Sequence, residues 1–140
     1  MVLAIAGLIF LVVFLALPAL QKSQRDTARR QDVARIVSAL QSYEADNQGQ
    51  LPANSSGWGF TPDGSQATGF IGYVGKLSQI NYVWLVAPGQ PYHNENNNTA
   101  LIFEGMKCPG SNGIATASDA AVNIHLESSG WPSDSYCLDL

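Results

Sequence analysis

The residues of this 140-residue chain best suited to acid–base or metal chemistry are two histidines, two cysteines and eleven carboxylates. Their spacing builds no site. His93 lies in the Asn-rich run PYHNENNNT, and His125 lies on the polar side of an alternating segment. Neither has a serine, a cysteine or a second histidine near it in a pattern suited to a general base or a metal ligand. Asp63 in TPDGS suits a turn through Asx chemistry, and a calcium loop would need several more oxygen ligands at short spacing. Asn54-Ser55-Ser56 and Asn97-Asn98-Thr99 match the short N-glycosylation pattern, and there is no phosphate-cradling glycine loop. The expectation is therefore a chain that is not an enzyme, with no catalytic residue, no metal and no cofactor. Cys108 and Cys137 form no CxxC or zinc-knuckle pattern. A structural disulfide, and with it an oxidising compartment, is a better reading than two free thiols.

With no chemistry to place, the elements themselves carry the information, beginning with Met1–Leu20, an uncharged run of twenty residues. About twenty residues rising roughly 1.5 Å each cover the ~30 Å hydrocarbon core of a bilayer. Its large side chains, Val2, Leu3, Ile5, Leu8, Ile9, Phe10, Leu11, Val12, Val13, Phe14, Leu15 and Leu17, are the candidates for membrane contact. Gly7 and Pro18 are its weak points, because glycine stabilises helix poorly and proline has no N–H for the carbonyl of Phe14. If this segment leaves lipid for an assembly, part of Gly7–Pro18 is expected to unwind, with a continuous helix merely kinked at Pro18 as the alternative.

The helical pattern continues through Gln21–Gln48, where Val33, Ile36, Val37, Leu40 and Tyr43 form one apolar stripe that must pack on something. The charges around residues 22–30 are expected to face solvent or neighbouring subunits. Gly49, Leu51 and Pro52 stop the helix, at a length of roughly 70 Å. Residues 53–78 are rich in Gly, Ser, Asn and Pro and read as a connecting loop. Its aromatics, Trp58, Phe60, Phe70 and Tyr73, are expected to tether it to the head by burial, with a sugar-binding surface as the alternative. Ile80–Val86, Ala100–Met106, the alternating segment around 119–127 and Ser135–Leu140 read as strands, the third half exposed through Ala121, Asn123 and His125. The expected class is α+β: one long N-terminal helix whose C-terminal half packs on a four-stranded antiparallel sheet. It divides into an apolar half (1–20), an amphipathic half (21–48) and a β head (49–140).

Charge is uneven. Residues 1–35 carry five basic and two acidic groups, and the remainder carries two basic and nine acidic groups. The acidic head repels phosphates, so no nucleic-acid partner is expected for it. Lys22, Arg25, Arg29 and Arg30 directly after the apolar run would place the head in the cytoplasm by the positive-inside rule, whereas a disulfide argues for the other side. The two would be reconciled by a basic leader ahead of Met1 that has been removed, or by a true N-terminus that lies upstream of Met1.

An apolar helix containing AIAG (Ala4–Gly7) and ALPALQ (Ala16–Gln21), an amphipathic continuation ending at NQGQLP (Asn47–Pro52) and a C-terminal cysteine pair together resemble the type IV pilins. The likeness covers the first fifty residues well and the rest only by the order of elements. It implies the pilin fold, with Ala4–Gly7 and Pro18 in the membrane half of the helix and Cys108–Cys137 closing a C-terminal region (108–137) displayed on a filament. It also implies a leader peptide that is removed, with N-methylation of the new terminus, and residues ahead of Met1. The implied function is that of a polymerising subunit of a type IV pilus, for adhesion or twitching motility, with a pseudopilin of a secretion or DNA-uptake machine as the alternative. A membrane-anchored glycan-binding module is the alternative of another class. The implied partners are other copies of the chain, the inner-membrane assembly machinery and, before assembly, the membrane itself. The implied location is the cell surface.

Overall fold

The computed structural model describes residues 2–52, 59–60, 69–86, 97–109, 115–116, 118–127 and 135–140. Its first element, α1, is a single helix over Val2–Asp46, 45 residues long, with Pro18 inside it. A run of Leu, Ala, Val and Ile followed by Gln, Arg and Ala favours this helix, and the missing N–H of Pro18 does not break it. The unwinding expected between Gly7 and Pro18 concerns an assembled state; in the single chain that stretch is helical.

α1 ends two residues earlier than the sequence suggested, in a left-handed cap. Gln48 takes φ 59° and Gly49 takes φ 77°. The Gly49 N–H donates to the Glu44 carbonyl at 2.8 Å, and the Asn47 N–H to that of Tyr43 at 2.9 Å. This is a Schellman-type closure with glutamine, not glycine, in the first left-handed position.

The connecting segment holds two short elements, β1 (Gly59–Phe60) and α2 (Ile71–Val74). The sheet then adds β2 (Tyr82–Val86), β3 (Thr99–Glu104), β4 (Ala120–His125) and β5 (Ser135–Asp139). All four expected strands are present, and the α+β layout of a long helix on a sheet holds. The sheet is mixed, however, with order β1-β2-β3-β4-β5. β2 and β3 run parallel, from Tyr82 opposite Thr99 to Val86 opposite Phe103, and the other pairs are antiparallel. The chain between Val86 and Thr99 is about as long as the dozen residues a parallel return requires, so a hairpin was not obligatory there.

One sheet face forms the core. Val83, Leu85, Ala100, Ile102, Val122 and Ile124 join Val33, Ile36, Val37, Ala39 and Leu40 of α1, and Phe70, Val74, Leu77 and Ile80 close the cluster. Tyr43, Tyr136 and Leu138 pack against it partly buried. The opposite face also holds buried residues, namely Val86, Thr99, Leu101 and Ala121. β4 is therefore not half exposed as its alternation suggested: Ala121 is buried, and Asn123 and His125 are partly so.

Candidate functional site

Two surfaces of α1 meet end to end. From Leu3 to Leu20 every large apolar side chain is open, with Leu3 89% and Phe14 74% exposed. Ile5, Leu8, Ile9, Phe10, Leu11, Val12, Val13, Leu15 and Leu17 are exposed as well, and a Cβ added at Gly7 would meet nothing within 4 Å. Val2 lies at the start of the helix. By length and composition this helix is apolar enough to cross a membrane. Among the described residues nothing covers it, and exposed apolar surface on this scale marks contact with lipid or protein.

The second surface is the seam between α1 and the head. Val33, Ile36 and Leu40 have no solvent exposure and Val37 is buried beside them, while Tyr43 sits edge-on to Phe70 and Tyr73 at 5.9 and 5.5 Å between ring centroids. The stripe read from the sequence thus faces the sheet. N-terminal to Val33 the seam is polar, and here the structure departs from the expectation that residues 22–30 face outward at two positions, while Lys22–Arg25, Thr27 and Arg30 are exposed as expected. Asp26 and Arg29 are buried, Arg29 to 2% exposure. Arg29 Nη1 pairs with Asp26 Oδ1 at 2.9 Å, and Arg29 Nη2 pairs with Glu127 Oε1. Arg25 reaches the other oxygen of Glu127 at 2.7 Å, and the Glu127 backbone N–H donates to Asp26 Oδ1 at 2.8 Å. Arg30 lies over the ring of Tyr136, 5.4 Å from its centroid. Three of the four cations that the positive-inside rule would count, Arg25, Arg29 and Arg30, thus contact the head. Along the helix, Asp26 pairs with Arg29 at i,i+3.

The hydrogen bond from Arg29, followed by that from Arg25 and the positive field of both, holds the Glu127 carboxyl below the ordinary glutamate range, outweighing a burial that pushes it the other way. A buried ion pair of this kind gains little over an apolar replacement of the same shape, yet breaking it leaves a stranded charge. One donor in it stays unmet: Arg29 Nε has no hydrogen-bond partner.

Asp32 makes a second polar anchor. It is fully buried and accepts from the backbone N–H groups of Ser78 and Gln79 at 2.9 and 2.7 Å, and from the Ser78 hydroxyl at 3.1 Å. Arg35 lies 3.9 Å away with its side chain 58% exposed, which makes this i,i+3 pair the weaker part of the cluster. The sequence did contain a signal for these anchors. Asp26, Arg29, Val33, Ile36, Leu40 and Tyr43 are spaced by three or four residues, so the inward face runs through charged positions before it becomes apolar.

Cys108 and Cys137 are bonded, with Cα atoms 5.7 Å apart, which joins β5 to the segment after β3. The Cys108 N–H donates to Asp139 Oδ1 at 2.6 Å. Cys108, Cys137 and Asp139 are the one cluster of potential metal ligands among the described residues, and as a disulfide its sulfurs offer no thiolate. Nearby, Asp119 is held below its usual value by the Thr116 N–H and hydroxyl, and burial pushes the Glu104 carboxyl up.

His125 is partly buried at the end of β4, whereas His93, Asp63, Trp58 and the Asn54 sequon lie outside the described residues, as does the Phe60 side chain. Of the loop aromatics, Phe70 is buried in the core and Tyr73 is at the surface. The Tyr73 hydroxyl donates to Asp46 Oδ2 at 2.8 Å, and that bond to a carboxylate raises the phenol's pKa. Phe70 thus ties the loop into the core shared by the sheet and α1.

Compared with known proteins, the chain matches no family profile, no curated protein and no solved structure.

Proposed function

We propose that this chain is the structural subunit of a type IV pilus-like filament, held in the membrane by Leu3–Leu20 before assembly and displaying its acidic, disulfide-closed head on the cell surface afterwards. The observation that carries the reading is the bare apolar half of α1, rigidly continuous with a helix that a head domain grips only from about Arg25 onward. A dozen large apolar side chains, each worth about 1.5–3 kcal/mol on burial, would hold copies together without covalent links once they exchange lipid for one another. Such contacts, made between different surfaces of copies displaced along a screw axis, are heterologous; they do not close on themselves and propagate as a helix. The assembly machinery of the inner membrane is the further partner, and no catalytic group has a part in this function.

The test is electron microscopy and mass spectrometry of material sheared from cells producing the chain. Thin fibres composed of it are expected, and Phe14→Asp, which puts a charge into the apolar half far from the head, should abolish them while the head unfolds at an unchanged temperature. A chain that stays in the membrane fraction and yields no fibres would refute the filament. It would favour a short pseudopilin or an anchored binding module.

A further inference from the structure

We propose that the Asp26–Arg29–Glu127 cluster is a clamp that aims the apolar half of α1 relative to the head, making these three positioning residues for assembly. The argument starts from what is missing in the sequence. Between Gln21 and Asp32 the one apolar residue is Ala28, and no buried apolar residue of the core lies N-terminal to Val33. Burial of apolar surface therefore cannot hold residues 22–30 against the head. What holds them is polar: Arg29 bridges Asp26 and Glu127, Arg25 takes the second Glu127 oxygen, Asp26 caps the Glu127 N–H, and Arg30 rests on Tyr136.

The geometry at this point is leveraged. Leu126 is buried in the core, so Glu127 extends directly from a fixed strand end and grips the helix at one level. Roughly 35 Å of helix lies between Asp26 and Leu3 at about 1.5 Å per residue, so a swing of about 10° at the clamp moves the tip by about 6 Å. That sideways shift is more than half of the roughly 8–10 Å between the axes of packed helices, enough to mismatch apolar side chains that must interdigitate with neighbours. Ion pairs and hydrogen bonds are directional where apolar contacts are not. A polar clamp at the last contact with the head fixes the angle of the rod in a way that further leucines would not.

The consequence for filaments rests on the proposed polymerisation, but the clamp itself is testable in the single full-length chain in detergent micelles, with the Cys108–Cys137 bond intact. Spin labels on Gln24→Cys, just beyond the clamp, and Asn98→Cys, on the head, report the aim of the rod by pulsed electron resonance. Gln41→Cys paired with Asn98→Cys reports the seam over the apolar core. In the wild-type background both pairs should give narrow distance distributions. Asp26→Asn/Glu127→Gln should at least double the width for the 24–98 pair and leave the 41–98 pair unchanged. Val37→Ala, which loosens the core without touching the clamp, should widen neither. If the double variant does not fold, Glu127→Gln alone is read in the same way, with a smaller widening expected. An unchanged 24–98 width in the clamp variant, or equal widening of both pairs, would overturn the proposal. A wild-type chain that forms no filament would refute the polymerisation reading and leave these distances as they are.

Discussion

Replacing Asp32 by alanine removes a fully buried carboxylate that satisfies three donors, the N–H groups of Ser78 and Gln79 and the hydroxyl of Ser78, at 2.9, 2.7 and 3.1 Å. A donor left without its partner costs about 1–3 kcal/mol. These donors are only partly buried, so water reaches them and the lower end applies, giving a total loss of about 3 kcal/mol. Asp32→Asn keeps one acceptor oxygen and should lose about 1–2 kcal/mol, and Ser78→Ala, which deletes a single bond, about 1 kcal/mol. Arg35→Ala is the control: its ion pair with Asp32 is long and largely solvated, and such pairs contribute about 0–1 kcal/mol. The assay is thermal and urea unfolding of the full chain in detergent, where 1 kcal/mol corresponds to about 2–4 °C for a chain of this size. The order Asp32→Ala, Asp32→Asn, Ser78→Ala, Arg35→Ala is expected. A melting temperature for Asp32→Ala within about 2 °C of wild type, or a loss in Arg35→Ala as large as in Asp32→Ala, would refute the assignment of the anchoring energy to the backbone donors.

Ile36→Asp places an unpaired charge in a position with no solvent access and should abolish the cooperative unfolding transition of the head. Cys108→Ser/Cys137→Ser reopens a loop whose ends are 29 residues apart and should cost about 3.5 kcal/mol on the chain-entropy model, read as a lower urea midpoint. The pH dependence follows from Glu127, whose pKa is depressed in the folded state. Its contribution is complete above the unfolded value of about 4.3 and is lost as the pH falls through the lower folded value. Wild type should therefore lose more stability than Glu127→Gln between neutral and acidic solution, and parallel losses would count against the clamp. Gln48→Gly relieves a left-handed glutamine and should raise stability by about 0.5–1 kcal/mol, visible as a higher melting temperature.

The long helix, its two environments and its apolar stripe were legible in the sequence because helical periodicity is a local property: each side chain's face follows from its own position in the turn. Val33, Ile36, Val37 and Leu40 declared an inward face before any partner for it was known, and the four strands declared themselves by β-branched content and alternation. Pairing is not local. Whether the chain returns from Val86 to Thr99 as a hairpin or as a parallel crossover depends on where a dozen intervening residues can lie, and no alternation pattern encodes that choice. The polar seam was hidden for the same reason. Asp26, Arg29 and Asp32 look like an ordinary solvated helix face until Glu127, about a hundred residues later, and Ser78 are brought against them. A charged side chain carries no mark of its own burial; only the partner that neutralises it decides, and that partner is supplied by the tertiary fold.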